Sequence, residues 1–271
     1  MPRRKGLKPP VLSSHDVFIT GLDPRHDGLR IAHLSDVHVG LTPRDHVRAA
    51  VELANDASAD VTVLTGDYVC WSRQEIPLME EQLGGLTAAR VIVTLGNHDY
   101  FTSAKRIGEA MIRNGYDLLK NASTTVDVGG APLHVVGIDD PVTRHHDIDA
   151  AYRGVPATAT TVVLCHCPEQ ADNLAERGAD LILSGHMHGG QIYLRGITDR
   201  IIKRMGRRYR SGFYDVAGDR RPVERAPDRG SRLYVTSGVG FSGVRVRSGD
   251  GTTAEVALFT LRRAADAAAA A

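Results

Sequence analysis

The chain has 271 residues, 42% hydrophobic and 24% charged, which suits one large or two small soluble globular domains. A net charge of +1 excludes global attraction to nucleic acid or anionic membrane, and three cysteines exclude a disulfide framework, leaving a reducing cytoplasm as the expected home. No apolar run approaches the roughly 20 residues that a membrane span needs.

The N-terminus reads MPRRKGLKPP, and Arg3-Arg4 with Leu7-Lys8 has elements of a twin-arginine export signal. The following VLSSHDVFITG is too short and too polar for the apolar part of such a signal, so a disordered basic tail is expected. Residues 1–28 read as an extension, 29–262 as one domain and 263–271 as a disordered Ala-rich tail.

From residue 29, short apolar runs alternate with amphipathic stretches. Buried strands are predicted at 29–36, 60–67 and 90–99, and helices at 43–57 and 102–115, with a partly helical crossover at 74–86. Pro43 suits a helix start and Gly115 a helix end. This alternation argues for parallel strands with helical crossovers. Residues 123–128 and 132–139 flank Gly129-Gly130 and read as a hairpin. A strand at 159–166, a helix near 168–177 and a strand at 179–186 resume the alternation, and the last strands fall at 231–238 and 253–261. Residues 195–230 form a basic, irregular insert.

Five predicted strands end in Asp, Asn or His: Ser35-Asp36-Val37-His38, Gly66-Asp67, Gly96-Asn97-His98-Asp99, Cys165-His166 and Gly185-His186-Met187-His188. The carboxyl ends of parallel strands share one edge, where α/β proteins build their sites. Glycines before Asp67, Asn97 and His186 permit sharp turns. Carboxylates, an amide and imidazoles together suit Mn, Fe, Zn, Ni or Co ions. Two such ions about 3.5–4 Å apart clamp a phosphate and generate a hydroxide, and one bridging aspartate would hold them close.

These five blocks, in order and spacing, resemble the calcineurin-like metallophosphoesterases over residues 29–261. The resemblance implies an α/β fold, a four-layer α/β/β/α sandwich of two mixed sheets flanked by helices. It implies that Asp36, His38 and His188 hold one ion, that Asp67 bridges, and that Asn97, His166 and His186 complete the second. His98 would contact the phosphate and protonate the leaving oxygen, while a hydroxide between the ions attacks phosphorus in line. The implied cofactors are two divalent ions (Mn²⁺, Fe²⁺/Fe³⁺ or Zn²⁺), with Mn²⁺ expected to serve in vitro. The stretches RIAHLSDVHVG, LTGDYV, LGNHDY, HCPE, ADLILSGHMHGGQI and LYVTSGVG resemble a bacterial branch of membrane-associated phosphodiesterases and phosphohydrolases, which includes UDP-2,3-diacylglucosamine pyrophosphatases.

One departure narrows the reaction. Protein phosphatases of this superfamily read GDxxDRG, whereas this chain reads GDYVCWS, with Cys70 in place of the acid that orients the catalytic histidine. Asp99 or a backbone carbonyl are the open substitutes. The expected activity is therefore a phosphodiesterase or pyrophosphatase on a small or lipid-linked substrate. The alternatives are a phosphomonoesterase, protein phosphatases included, and a non-catalytic scaffold.

The remaining candidates have plainer readings. His15, His26, His33, His46, His134, His145 and His146 are expected to be structural, and Asp139-Asp140 to form a turn before Pro141. Strand alternation turns Cys165 and Cys167 away from the side that His166 faces, which makes them buried fillers and not thiolate ligands. The insert is either a solvated loop or a lid whose Arg207 and Arg208 meet an anionic head group or a nucleotide diphosphate. The last reading carries an expected peripheral contact at the inner membrane face, and no nucleic-acid partner is expected. The Gly-rich SGVGF at 237–241 reads as a tight turn.

Overall fold

The computed structural model describes residues 8–216 and 230–264. Two mixed six-stranded sheets are stacked face to face. The first contains β1 (Val11–Ile19), β2 (Arg30–Leu34), β3 (Val61–Leu64), β4 (Arg90–Val93), β5 (Asp117–Leu118) and β12 (Glu255–Arg263), in the order β1-β12-β2-β3-β4-β5. The second contains β6 (Ala122–Val128), β7 (Ala131–Ile138), β8 (Thr161–Cys165), β9 (Leu181–Ser184), β10 (Gly212–Val216) and β11 (Ser231–Val235), in the order β10-β11-β9-β8-β7-β6. Strands β2 to β5 run parallel, as do β7, β8, β9 and β11, so the ladder direction follows the predicted alternation. The 123–128 and 132–139 stretches pair as the antiparallel hairpin β6–β7.

The central strands are apolar on both faces because each face meets a different layer. Ile31, Val61, Val63, Ile92, Val162, Leu164, Leu181 and Leu183 point between the sheets. Their neighbours Leu34, Leu64, Val91 and Val93 turn outward. There they meet α1 (Arg44–Asp56), α2 (Ile76–Leu83) and α4 (Ala104–Arg113). The six-residue α3 (Asn97–Thr102) lies between β4 and α4. On the other side Val163, Cys165 and Ile182 pack with α5 (Ile148–Ala151) and α6 (Ala171–Glu176). The result is the expected four-layer sandwich. At full burial each of these side chains stabilises the fold by roughly 1.5–3 kcal/mol.

Two segments depart from the sequence reading. Residues 11–19, read as part of an extension, form edge strand β1 and pair in parallel with β12 along its whole length. Val17 and Ile19 join the core between the sheets, while Phe18 faces out. The insert is partly regular: α7 (Ile197–Arg204) is a helix and β10 pairs antiparallel with β11. Its residues 217–229, the basic tail 1–7 and the Ala-rich 265–271 lie outside the described residues. Among the described residues, no helix is long and apolar enough to cross a membrane.

Candidate metal centre

The site assembles where β2, β3, β4, β8 and β9 end. The turn after β2 runs beside the turn after β3, with the Asp36 N–H donating to the Gly66 carbonyl (3.0 Å) and the His38 N–H to the Asp67 carbonyl (3.0 Å). Val37 and Val39 anchor this turn in the core. Asp36, His38, Asp67, His186 and His188 all take positive φ, between 47° and 70°. Left-handed backbone in a non-glycine residue costs energy and persists only where the surroundings over-determine it. Its concentration in five presumed ligands is a strain signature of a site.

Two neighbouring glycines are required for different reasons. Gly66 has φ 95°, and a Cβ there would lie 2.3 Å from the Gly96 nitrogen. Gly185 has ordinary φ, but a Cβ would sit 2.0 Å from Ser35 Oγ and 2.2 Å from Asp36 Oδ2. Close approach, not turn geometry, explains the glycine before His186.

The presumed ligands form two groups, beside a third in which His38 lies with Cys70 and His98, their ligand atoms also within 4.8 Å of one another. The ligand atoms of Asp36, His38 and His188 lie within 4.8 Å of one another, and so do those of Asp67, His166 and His186. In the first group His188 Nε2 is 3.3 Å from Asp36 Oδ1 and 3.1 Å from His38 Nε2. In the second, His166 Nε2 is 3.2 Å from Asp67 Oδ2 and 3.3 Å from His186 Nδ1. Asp67 Oδ2 also lies 3.7 Å from His38 Nε2, so one carboxylate faces both groups. Asn97 opens α3 with its Oδ1 buried and without a hydrogen-bond partner.

Protonation favours ligation. Burial holds His38 at about 4 and His186 at about 3, and pushes His188 well below the ordinary 6.5. Each therefore offers a lone pair at neutral pH. The Arg207 charge adds to the lowering at His186. Burial also raises Asp36 to about 6. His166 goes the other way: burial lowers it, but the Asp67 charge outweighs this and raises it to about 10. A cation bound between the two would displace that proton. His166 Nδ1 lies 2.7 Å from the Thr65 carbonyl, which fixes Nδ1 as the donor and leaves Nε2 for a ligand role. Convergent imidazoles, three of them neutral, with two carboxylates and an orphaned amide oxygen fit divalent cations.

The question left by Cys70 is answered by its main chain. His98 Nδ1 donates to the Cys70 carbonyl at 2.8 Å, and the His98 N–H donates to Asp67 Oδ1 at 2.9 Å. Asp99 is not the orienting acid. Its oxygens accept the N–H groups of Gly96, Asp67 and Tyr68, each at 2.9 Å, and so clamp the second and third blocks together. Burial and the Asp67 charge raise Asp99 to about 7.

Other expectations resolve locally. His33 is buried with Nε2 2.8 Å from Thr65 Oγ1, and Asp140 accepts from the Val142 and Thr143 N–H groups, as a turn residue does. Cys165 and Cys167 are buried and belong to neither group. Arg207 pairs with Glu169 (3.1 Å) and Arg208 with Asp172, so neither guanidinium enters the cluster.

Sequence reasoning missed three neighbours of the centre. Arg247, half-buried and lowered to about 10 by that burial, donates to the Ser237 (2.7 Å), Gly240 and Thr252 (3.0 Å) carbonyls. Its Nη2 lies 3.4 Å from His188 Nδ1, so it braces the glycine-rich turn against the first group. Nothing in GVRVRSGD distinguishes it from a surface arginine. The Trp71 ring lies 4.4 Å from that of His98, and Phe101 lies 5.9 Å from it. The signal for Trp71 was its place directly after Cys70, as the one tryptophan of the chain.

The family model for calcineurin-like phosphoesterases matches residues 29–190, more than half of the chain. The chain belongs to this family. An uncharacterized metallophosphoesterase of Helicobacter pylori is 28% identical over 251 residues, covering 90% of this chain and 62% of the relative. The uncharacterized metallophosphoesterase YkoQ of Bacillus subtilis is 27% identical over 236 residues, covering 83% of this chain and 82% of the relative. A transmembrane protein with metallophosphoesterase domain from Bos taurus is 28% identical over 276 residues, covering 95% of this chain and 58% of the relative. This calcineurin-like chain thus spans about three fifths of the length of the Helicobacter and Bos relatives.

Proposed function

We propose that this calcineurin-like chain is a dinuclear metal-dependent phosphoester hydrolase, a phosphodiesterase or pyrophosphatase acting on a small or lipid-linked substrate. The observation that carries the reading is the Asp67 carboxylate, which faces the His38 side at 3.7 Å and the His166 side at 3.2 Å. Asp36, His38 and His188 would hold one ion. Asn97, His166 and His186 would hold the other, with Asp67 shared. Bound there, two divalent ions supply Lewis acidity toward phosphoryl oxygens and lower the pKa of water to near neutrality.

The chain's own groups do the rest. Asp67 fixes the His98 main chain, and the Cys70 carbonyl fixes its ring so that Nε2 is the free nitrogen. His98 in its protonated form donates to the leaving oxygen as the phosphorus–oxygen bond breaks, and water supplies the oxygen retained on phosphorus. Hydrolysis of a diester thus yields a monoester and an alcohol.

A lipid-linked substrate is supported by the surface that follows His188. Leu194, Ile197, Ile201, Met205, Val244 and Val246 are all more than half exposed. The exposed Arg200, Lys203, Arg204 and Arg245 stand among them. Apolar side chains flanked by cations suit an anionic bilayer surface, and this reading includes peripheral contact at the inner membrane face from the cytoplasmic side. Arg207 could reach a head group only by parting from Glu169. Purified protein with Mn²⁺ tests the proposal against bis-p-nitrophenyl phosphate, p-nitrophenyl phosphate, glycerophosphodiesters, cyclic nucleotides and UDP-diacylglucosamine. Turnover of a diester or anhydride above the monoester is expected. Preference for the monoester would favour a phosphomonoesterase, and no turnover of any member would remove the enzymatic reading.

A further inference from the structure

We propose that Trp71 and Phe101 form an aromatic subsite for a planar ring carried by the leaving group of the phosphoester. The proposal rests on the phosphoesterase reading and on the role given to His98. Trp71 is 64% exposed and Phe101 54% exposed. Their rings are parallel within 6°, with centroids 6.1 Å apart. Both meet His98 edge-on, tilted 62° and 67° from its plane. Exposed aromatic residues scattered singly need no explanation. Here two stand parallel, and both border the side chain that would protonate the leaving oxygen.

The pair is held by rigid backbone. Glu75 Oε2 accepts the N–H groups of Cys70 (2.9 Å), Trp71 (3.2 Å) and Ser72 (3.3 Å). Phe101 stands on α3, whose first turn is tied to Asp67 through the His98 N–H. Arg73 donates to the Thr102 carbonyl at 3.2 Å and so links the Trp71 loop to the Phe101 helix. The stretch that carries Trp71 also carries the carbonyl that orients His98. Position of the shelf and position of the proton donor are therefore set together. A leaving group that receives a proton from His98 would lie within reach of the two rings, and their exposed π-faces favour offset or edge-on contact with another planar ring. A saturated group of the same size gains the apolar contact but not this geometry.

The test uses the full chain loaded with Mn²⁺ and two substrates matched in size, benzyl methyl phosphate and cyclohexylmethyl methyl phosphate. The wild type should favour the benzyl ester by about tenfold in kcat/KM. Trp71→Ala should slow the benzyl ester more than the cyclohexylmethyl ester, which loses only the apolar contact, and so erase the preference, while Trp71→Phe retains most of it. Equal slowing of both esters by Trp71→Ala would overturn the subsite, because rings that merely shield His98 affect every substrate alike. An unchanged preference would overturn it as well. Binding gives a second readout, since Trp71 is the only tryptophan in the chain. Its fluorescence should be quenched by benzylphosphonate and not by cyclohexylmethylphosphonate. No difference between the two contradicts the proposal. If the wild type hydrolyses neither ester, the substrate panel above still decides the phosphoesterase reading, and the fluorescence titration decides the subsite.

Discussion

The edge where β2, β3, β4, β8 and β9 end and the segment that follows His188 obey opposite rules. At the strand ends, charged and polar side chains are buried, and four of them, with the half-buried His186, sit on left-handed backbone. In the following segment, large apolar side chains are exposed on an ordinary helix and loop. Each region breaks the usual partition of polar outside and apolar inside, in opposite senses. Buried carboxylates and imidazoles are tolerable when a cation completes them. Exposed isoleucines are tolerable when something else covers them. Under the proposed function, bound cations complete the first region and a membrane surface covers the second.

The largest effect should come from the residue that both ligand groups share. Asp67→Asn keeps the shape and removes the charge, so turnover of bis-p-nitrophenyl phosphate with Mn²⁺ should fall to background, and plasma emission spectrometry should find less bound metal. Retained activity would break the idea that Asp67 unites the groups. His98→Ala should lower kcat by about 10²–10⁴-fold and leave metal content unchanged. Loss of metal in that variant would place His98 among the ligands.

Acid sensitivity separates buried structural histidines from the site. Burial holds His33 at about 3 against an ordinary 6.5. As pH drops the unfolded chain takes up the proton first, so stability at His33 is complete above pH 6.5 and is lost as pH falls from 6.5 toward 3. Each pH unit in that window costs at most about 1.4 kcal/mol. Thermal melts of wild type and His33→Gln should therefore diverge below pH 6.5, with the variant the less steep. Parallel curves would mean that His33 protonates freely in the fold.

The smallest change in stability is expected in the exposed segment. Replacing Ile197 and Ile201 by Ser should alter unfolding free energy by no more than about 0.5 kcal/mol for each substitution, because neither is buried. Co-sedimentation with phosphatidylglycerol vesicles should nevertheless fall. Unchanged sedimentation would remove the membrane from the account of this surface.

Much of this contrast was legible in the sequence. Apolar runs revealed the parallel strands because both faces of β2, β3, β8 and β9 are buried, and a polar residue at the end of such a run stands out. The edge strand β1 gave a weak pattern, since only its final residues enter the core and its partner β12 lies more than 230 residues away. The orientation of His98 stayed open between Asp99 and a backbone carbonyl for a different reason: the Cys70 carbonyl does the work, and every residue has one. Arg247 was hidden because its partners are the carbonyls of a turn that forms only when β11 and the β2 turn meet. Trp71 and Phe101 lie 30 positions apart, and only the fold makes them neighbours of one imidazole.

Diffraction from crystals grown with Mn²⁺, recorded at a wavelength where manganese scatters anomalously, tests the central claim most directly. The account predicts two peaks about 3.5–4 Å apart. One should lie among Asp36, His38 and His188, and the other among Asn97, His166 and His186, with the Asp67 carboxylate between. A single peak, or two that do not share Asp67, would contradict it.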